Sequence, residues 1–318
     1  MKPPYNITPY ILAKTASISE KLGEIKAACL HRPPTELRKK NRIRTIHSSL
    51  VIEGNTLTLD QVTALLDNKR VIAPLKDITE VKNAIRTYEN MHLFDPFNIE
   101  SLCNAHRMLM NGLVENAGNL RSRSVGIMKG EQLAHVAPSG TLVKSLLNDL
   151  FDYLSDEDEI LLIKSCVFHY EFEFIHPFLD GNGRMGRLWQ SVILTKYNSV
   201  FEYLPVESLI KENQEEYYRM LAVADSQGAS TVFIEFMLRI LEESLEELLQ
   251  SQNITISGSD RIALFKDYIT DRSFTRKDYL RYFKELSTST ASRDLKDAVD
   301  NHLLRKEGEK SLTRYTYI

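Results

Sequence analysis

The run from Ile160 to Ile175 is apolar on every side, not along one stripe. A helix of that kind has no face to offer water, so the pattern predicts a buried central helix. A second apolar stretch, Arg184 to Lys196, predicts another helix beyond a short loop, and its Leu188 to Tyr197 part continues into the core. Asn213 to Ala224 and Thr231 to Leu249 follow helical period and predict two more. In the first two thirds only Gly118 to Met128 and Leu133 to Pro138 are strand-like. The polar turn Lys129-Gly130-Glu131 between them predicts a β-hairpin. Small polar residues and a glycine break the helical pattern between Ser251 and Asp260, marking a linker. Beyond it the pattern predicts helices at Ile262 to Thr270 and Thr275 to Phe283, a third starting at Thr288, and a strand-like Leu303 to Tyr317.

The fold class is therefore mainly α. Composition adds bounds: 318 residues with 43% hydrophobic and 26% charged content have ample core for two or three domains, and nothing points to disorder. No stretch has the basic-then-apolar form of a signal peptide, and none approaches the ~20 apolar residues of a membrane span. The expectation is a cytoplasmic protein without a membrane partner. Cys29, Cys103 and Cys166 are unspaced for zinc and odd in number, which predicts reduced thiols. Trp189, the sole tryptophan, is expected to pack in the core.

Charge divides the chain. From Arg261 onward there are 13 Lys+Arg against 9 Asp+Glu, a net of +4, so the preceding residues carry −7 of the total −3. In this basic end Ser or Thr caps the third helix, with Arg293 and Lys296 outward and Leu295 and Val299 inward. That resembles the recognition helix of a winged helix-turn-helix, which implies DNA contact, protein binding or bracing of a dimer. The run Arg38-Lys39-Lys40-Asn41-Arg42-Ile43-Arg44 is expected to be the solvated face of a helix.

The chemistry concentrates in His176-Pro177-Phe178-Leu179-Asp180-Gly181-Asn182-Gly183-Arg184-Met185-Gly186-Arg187. Glycines flanking Asn182 accept positive φ, so consecutive N–H groups converge on phosphate oxygens, and the dipole of the following helix reinforces the same site. Arg184 and Arg187, three apart, share a helix face and suit bidentate clamping of phosphate. Asp180 offers a hard oxygen to magnesium, which takes one or two carboxylates plus substrate phosphates. His176 titrates near neutrality and accepts a proton from an incoming hydroxyl, with Pro177 ending the helix and fixing the imidazole. The segment reads as equipment for a nucleoside triphosphate.

It also resembles the signature of the Fic family, H-x-F-x-D/E-G-N-G-R-x-x-R, and fills all eight specified positions. The resemblance implies a Fic-type helical bundle with a short β-hairpin flap, and transfer of AMP from ATP to a Ser, Thr or Tyr hydroxyl of a target protein or of the chain itself, releasing pyrophosphate. It implies His176 as general base, Asp180 as Mg2+ ligand, Gly181 to Gly183 as phosphate nest, Arg184 and Arg187 on the β- and γ-phosphates, and Phe178 as the core anchor that aims the loop, with Leu179 alongside. Tyr217 and Tyr218 would wall the adenine pocket or, equally, pack in the core. The hairpin resembles the family's flap, whose edge would hold a target segment by strand addition. A homodimer is also implied.

Upstream, Ser49-Leu50-Val51-Ile52-Glu53-Gly54 matches the family's inhibitory pattern, S/T-x-x-x-E-G/N. By itself Glu53 before Gly54 is a helix end with glycine after its cap. The resemblance implies a switch in which Glu53 pairs with Arg187 and denies it the γ-phosphate. The expected organisation is an N-terminal helical region with the inhibitory motif at 1–95, the catalytic core at 96–250, a linker at 251–260 and a winged helix-turn-helix domain at 261–318. A regulator that binds DNA and senses nucleotide remains an alternative, as do another nucleotide donor and removal of AMP.

Overall fold

The computed structural model describes residues 2–27, 34–123, 126–129, 132–156, 158–250, 257–269, 273–284, 286–309 and 313–318, with backbone only at 126–129 and 132–136. Cys29, the turn residues Gly130 and Glu131, and residues 251–256 of the expected linker lie outside these. The first helices are α1 (Pro9–Ala27), α2 (Thr35–Ile52), α3 (Leu59–Leu66), α4 (Leu75–Glu89) and α5 (Ile99–Leu109). A hairpin, β1 (Gly126–Lys129) and β2 (Gln132–Val136), precedes α6 (Val143–Ser155), α7 (Leu161–Ile175), α8 (Asn182–Tyr197), α9 (Val206–Glu212), α10 (Gln214–Gln227) and α11 (Thr231–Gln250).

α7 is buried on nearly all sides, as its all-round apolar sequence requires, and packs along α8 beneath α6 and α11. Trp189 is fully buried, sends its indole N–H to the Pro96 carbonyl at 3.2 Å and lies among Phe94 and Phe151. The first 95 residues are no separate unit. α1 lies along α11 and α2 along α9, and one hydrophobic core runs from Ile11 to Leu248.

The hairpin is shorter than its sequence predicts. β1 and β2 pair antiparallel, Ile127 opposite His135, with a bulge after Ile127. Gly118 to Arg123 forms no strand: Gly118 takes φ +86, and a side chain there would meet the Cys103 carbonyl at 2.8 Å. The basic run on α2 is likewise only half solvated. Lys39 and Lys40 are exposed, but Arg38, Arg42 and Arg44 are half-buried, reaching Asp260, Glu202 and Glu247.

The C-terminal part consists of α12 (Gly258–Tyr268), β3 (Ser273–Phe274), α13 (Arg276–Tyr282), α14 (Thr288–Asp300), β4 (Leu304–Glu307) and β5 (Arg314–Tyr317), with sheet order β3-β5-β4. α12 starts inside the expected linker because Ser257 caps it, accepting the Asp260 N–H. Ser287 caps α14 in the same way, and Thr275 with Asp278 forms a capping box on α13. A second core, including Phe265, Phe274, Tyr279 and Leu295, holds these elements together. Arg293 and Lys296 are exposed on α14, and its Asp294 is buried against Arg261 at 2.7 Å and the Tyr279 hydroxyl at 3.2 Å.

No helix among the described residues is long and apolar enough to cross a membrane.

Candidate functional site

The site begins where α7 stops. His176 is its C-terminal cap and sits in the left-handed region at φ 50, ψ 61. α7 ends directly before Pro177, and hydrogen bonds to the His176 backbone hold it in this conformation. Left-handed backbone costs a non-glycine residue about 1–2 kcal/mol, which bonds to its own backbone offset. Its N–H reaches the Phe172 carbonyl at 2.9 Å, and its carbonyl accepts from Arg121 Nε at 2.6 Å. Arg121, 3% exposed, donates also to the carbonyls of Ile175, Arg123 and Pro138, and its backbone N–H bonds the Pro177 carbonyl. This one guanidinium ties the segment before the flap to the imidazole's backbone.

Phe178 is fully buried and stacks on His106 of α5 at 3.7 Å and 4°. The Gly118 N–H donates to His106 Nδ1 at 2.7 Å, so Nε2 carries the proton and donates to the Asp180 carbonyl at 2.9 Å. Burial pushes the His106 pKa down to about 4, keeping the ring in this neutral form. Sequence reasoning missed both His106 and Arg121. The available signal for His106 was a histidine on the apolar face formed by Leu102, Ala105 and Leu109.

Asn182 is a staple and not a phosphate ligand through its side chain: Oδ1 accepts the Phe178 N–H and Nδ2 donates to the Phe178 carbonyl, both at 2.8 Å. Gly181 takes the expected positive φ, +83, and caps α8, where a side chain would strike Met110 Sδ at 2.6 Å. Gly183 does not take positive φ. It lies in the first turn of α8, and its bare Cα admits Glu53, whose Oε1 would stand 2.4 Å from a Cβ. The amides of that first turn lack partners within the helix, which makes the turn an anion site. Leu179 is half exposed at the loop's edge.

Asp180 Oδ1 accepts the Gly181 N–H at 2.6 Å and lies 3.4 Å from Arg184, while the carboxylate as a whole is 55% exposed. No group of three or more His, Cys, Asp or Glu side chains among the described residues could hold a metal ion. A cation here would therefore take Asp180 together with nucleotide phosphates and water, the ordinary habit of magnesium.

The two arginines face different acids. Arg187, 2% exposed, donates to Glu53 Oε1 at 2.8 Å and to the Ser49 carbonyl at 2.9 Å, with its Nε 3.3 Å from Ser49 Oγ. Burial opposes its charge, but the Glu53 carboxylate outweighs that and holds the guanidinium's pKa above its ordinary value. Glu53 caps α2 and Gly54 follows at φ +88, so helix end and arginine partner are one feature. Arg184 instead meets Glu80 of α4 at 3.1 Å, and Glu80 also accepts from Asn55 at 2.8 Å. Glu80 and Asn55 were not singled out in the sequence; the available signal for Glu80 was an acid at helical spacing from Ala84, Thr87 and Tyr88 on the inward face of α4.

The nominated tyrosines separate. Tyr217 packs in the core, 1% exposed, its hydroxyl 3.1 Å from His169 Nε2 and its ring among Phe233 and Phe236. Tyr218 is only partly buried.

A buried helix that ends on an imidazole, opens through a glycine loop into the positive end of a second helix, and carries two guanidiniums there defines a helical protein whose loop would suit phosphate. Residues 96–194 match the model of the Fic/DOC family. Over its full length the chain is similar to the crystal structure of a Fic family protein from Desulfovibrio desulfuricans G20, with 42% identity, a TM-score of 0.77, and 100% of this chain and 98% of that one covered. The chain belongs to the Fic family. It is also similar to the protein adenylyltransferase fic-1 of Caenorhabditis elegans, 28% identical over 71% of this chain and 46% of the relative. The protein adenylyltransferase Fic of Nematostella vectensis is 28% identical over 79% and 58%. The chain spans about half the length of these two relatives.

Proposed function

We propose that this protein is a nucleotidyltransferase that moves AMP from ATP to a hydroxyl of a target protein or of itself, and that Glu53 holds it inactive at rest. The observation that carries the reading is the single loop that joins His176, Asp180, the open first turn of α8 and Arg187. The family's adenylyltransferases support the reaction type. In it the acceptor oxygen attacks the α-phosphorus of ATP, its proton passes to His176, and the bond between the α-phosphorus and its bridging oxygen breaks to release pyrophosphate. Such a step needs positioning and charge neutralisation more than covalent help. The α8 amides and the arginines bind the phosphates. Magnesium held by Asp180 would supply charge neutralisation of the triphosphate.

Inhibition at rest is supported by the same geometry. Arg187 donates to Glu53 and Ser49, so the guanidinium is engaged where a γ-phosphate would need it. The test is incubation of wild type, Glu53→Gly and Glu53→Gly/His176→Ala with α-labelled ATP, magnesium and a lysate, then intact mass of the protein. A gain of one AMP in Glu53→Gly, lost when His176 is also removed, is the expected result. No label in any variant, with ATP still bound, would replace transfer by nucleotide sensing.

Residues 261–318 are read as a winged helix-turn-helix. The order helix, strand, helix, helix, strand, strand and the outward Arg293 and Lys296 support it. Anisotropy of labelled duplex DNA with the full chain checks this reading's DNA arm, since phosphate contacts give affinity that falls steeply with salt.

A further inference from the structure

α8 is bare at two positions three residues apart, Gly183 and Gly186, and a carboxylate occupies each. Glu53 lies over Gly183. Over Gly186 lies Glu173 of α7, whose Oε1 would stand 2.5 Å from a Cβ there, with His169 Cδ2 at 3.2 Å. Arg187 follows Gly186 directly, so both acids sit on the stretch of α8 that bears this guanidinium. They are not used alike. Glu53 is bonded to Arg187, whereas Glu173 Oε1 is buried and makes no hydrogen bond among the described residues. A buried carboxyl oxygen left unsatisfied costs about 1–3 kcal/mol, so its retention calls for a state in which it is satisfied.

We propose that Glu173 is a positioning residue for Arg187: a second carboxylate that takes the guanidinium when Glu53 withdraws, keeps it aimed into the cleft, and yields it to the incoming phosphate. The inference rests on the reading of Arg187 as a phosphate clamp.

The charges around Glu173 give the handover a proton. It faces Arg187 on α8, Glu53 on α2, Tyr217 and Tyr218 on α10, and His169 on its own helix at 4.0 Å. His169 is neutral, its pKa pushed down to about 3 by burial, and both tyrosines are held above their ordinary value. Burial pushes the Glu173 carboxyl up to about 8, Arg187 pulls it down and Glu53 adds to the rise. In the resting state Glu173 is thus a neutral acid at pH 7. Withdrawal of Glu53 removes a negative neighbour, so Glu173 ionises more readily and pairs with Arg187. A γ-phosphate drawn to Arg187 restores negative charge, and Glu173 takes its proton back.

The experiment is calorimetric titration of magnesium ATP into full-length Glu53→Gly and Glu53→Gly/Glu173→Gln, in two buffers of different ionisation enthalpy, from about pH 7.5 to about pH 9. With Glu173 present, binding takes up a fraction of a proton, largest near pH 7.5 and declining toward pH 9, and affinity falls about 3-fold across the range. In the variant carrying Glu173→Gln both effects shrink to what ATP itself contributes. Equal proton uptake and equal pH profiles in the two variants, with ATP bound, would overturn the role of Glu173 and leave the transfer reading standing. Proton uptake that depends on Glu173 without any AMP transfer would do the reverse, and absence of ATP binding in both variants would sink both. Should that variant not fold, Glu173→Met, of similar shape and without charge, repeats the comparison.

Discussion

The two sides of the candidate site are built by opposite means. On one side α7, the loop and α8 are contiguous, so His176, Asp180, Gly181 and the arginines are placed by local conformation. Two helix ends, one left-handed histidine and one left-handed glycine set them. On the other side Glu53 and Glu80 come from α2 and α4, more than a hundred residues earlier in sequence for each pair, and meet the arginines only because their helices pack on the same core. The contiguous side carries the residues the proposed reaction would use, and the distant side pairs with its arginines. In the proposed inhibition, release would be easier from a few polar contacts than from chain continuity, because such contacts break one at a time.

The strongest way to break the comparison is at the contiguous side. His176→Ala is expected to lose about 10^2- to 10^4-fold in transfer rate, measured in the Glu53→Gly background, while ATP binding by calorimetry persists. Loss of binding in parallel would make His176 a structural cap. Next comes Phe178→Ala, which removes a fully buried ring stacked on His106 and should cost about 3–5 kcal/mol in denaturant unfolding. A cost under about 1 kcal/mol would show that His106 and Asn182 alone hold the loop.

Acid reports on His106 itself. Its folded pKa, about 4, is below the ordinary 6.5, so the neutral form is favoured by folding. That stability is fully present above about pH 6.5 and is lost as pH falls toward 4, up to about 3 kcal/mol. His106→Gln should reduce the slope between about pH 6.5 and 4, the remainder coming from His169, whose own window runs from about pH 6.5 down to about 3. An unchanged profile would remove His106 from the account.

The smallest expected stability change belongs to the distant side. Glu53→Gly leaves Arg187 buried without its carboxylate, and Glu53 is 29% exposed, so a loss of about 1–3 kcal/mol is expected alongside a rise in transfer. A rise in transfer with no loss of stability would sharpen the picture further, as Glu173 would then be compensating.

Much of this was legible in the chain. The all-round apolar run fixed α7 as buried, and glycine with a following helix marked the anion site. Ser49, Glu53 and Gly54 were in view only as a pattern, because their meaning depends on what lies opposite. The misreadings share one cause. Gly118 to Arg123 has strand-like residues, yet Arg121 is spent on four carbonyls around the loop. Gly183 suited positive φ, yet what it provides is room for Glu53.

The sequence alone determined α7, α8, α10, α11 and the start of α14, and the order of the residues read as base, ligand, nest and arginines, since each depends on residues within a few positions of one another. Only the tertiary structure decided that Arg184 faces Glu80, that Arg187 pairs with Glu53 while Glu173 lies over Gly186, and that a neutral His106 supports the loop. Burial and the pairing of charges depend on which distant surfaces meet, and in a helical chain side-chain period tells which face is inward but not what it will touch.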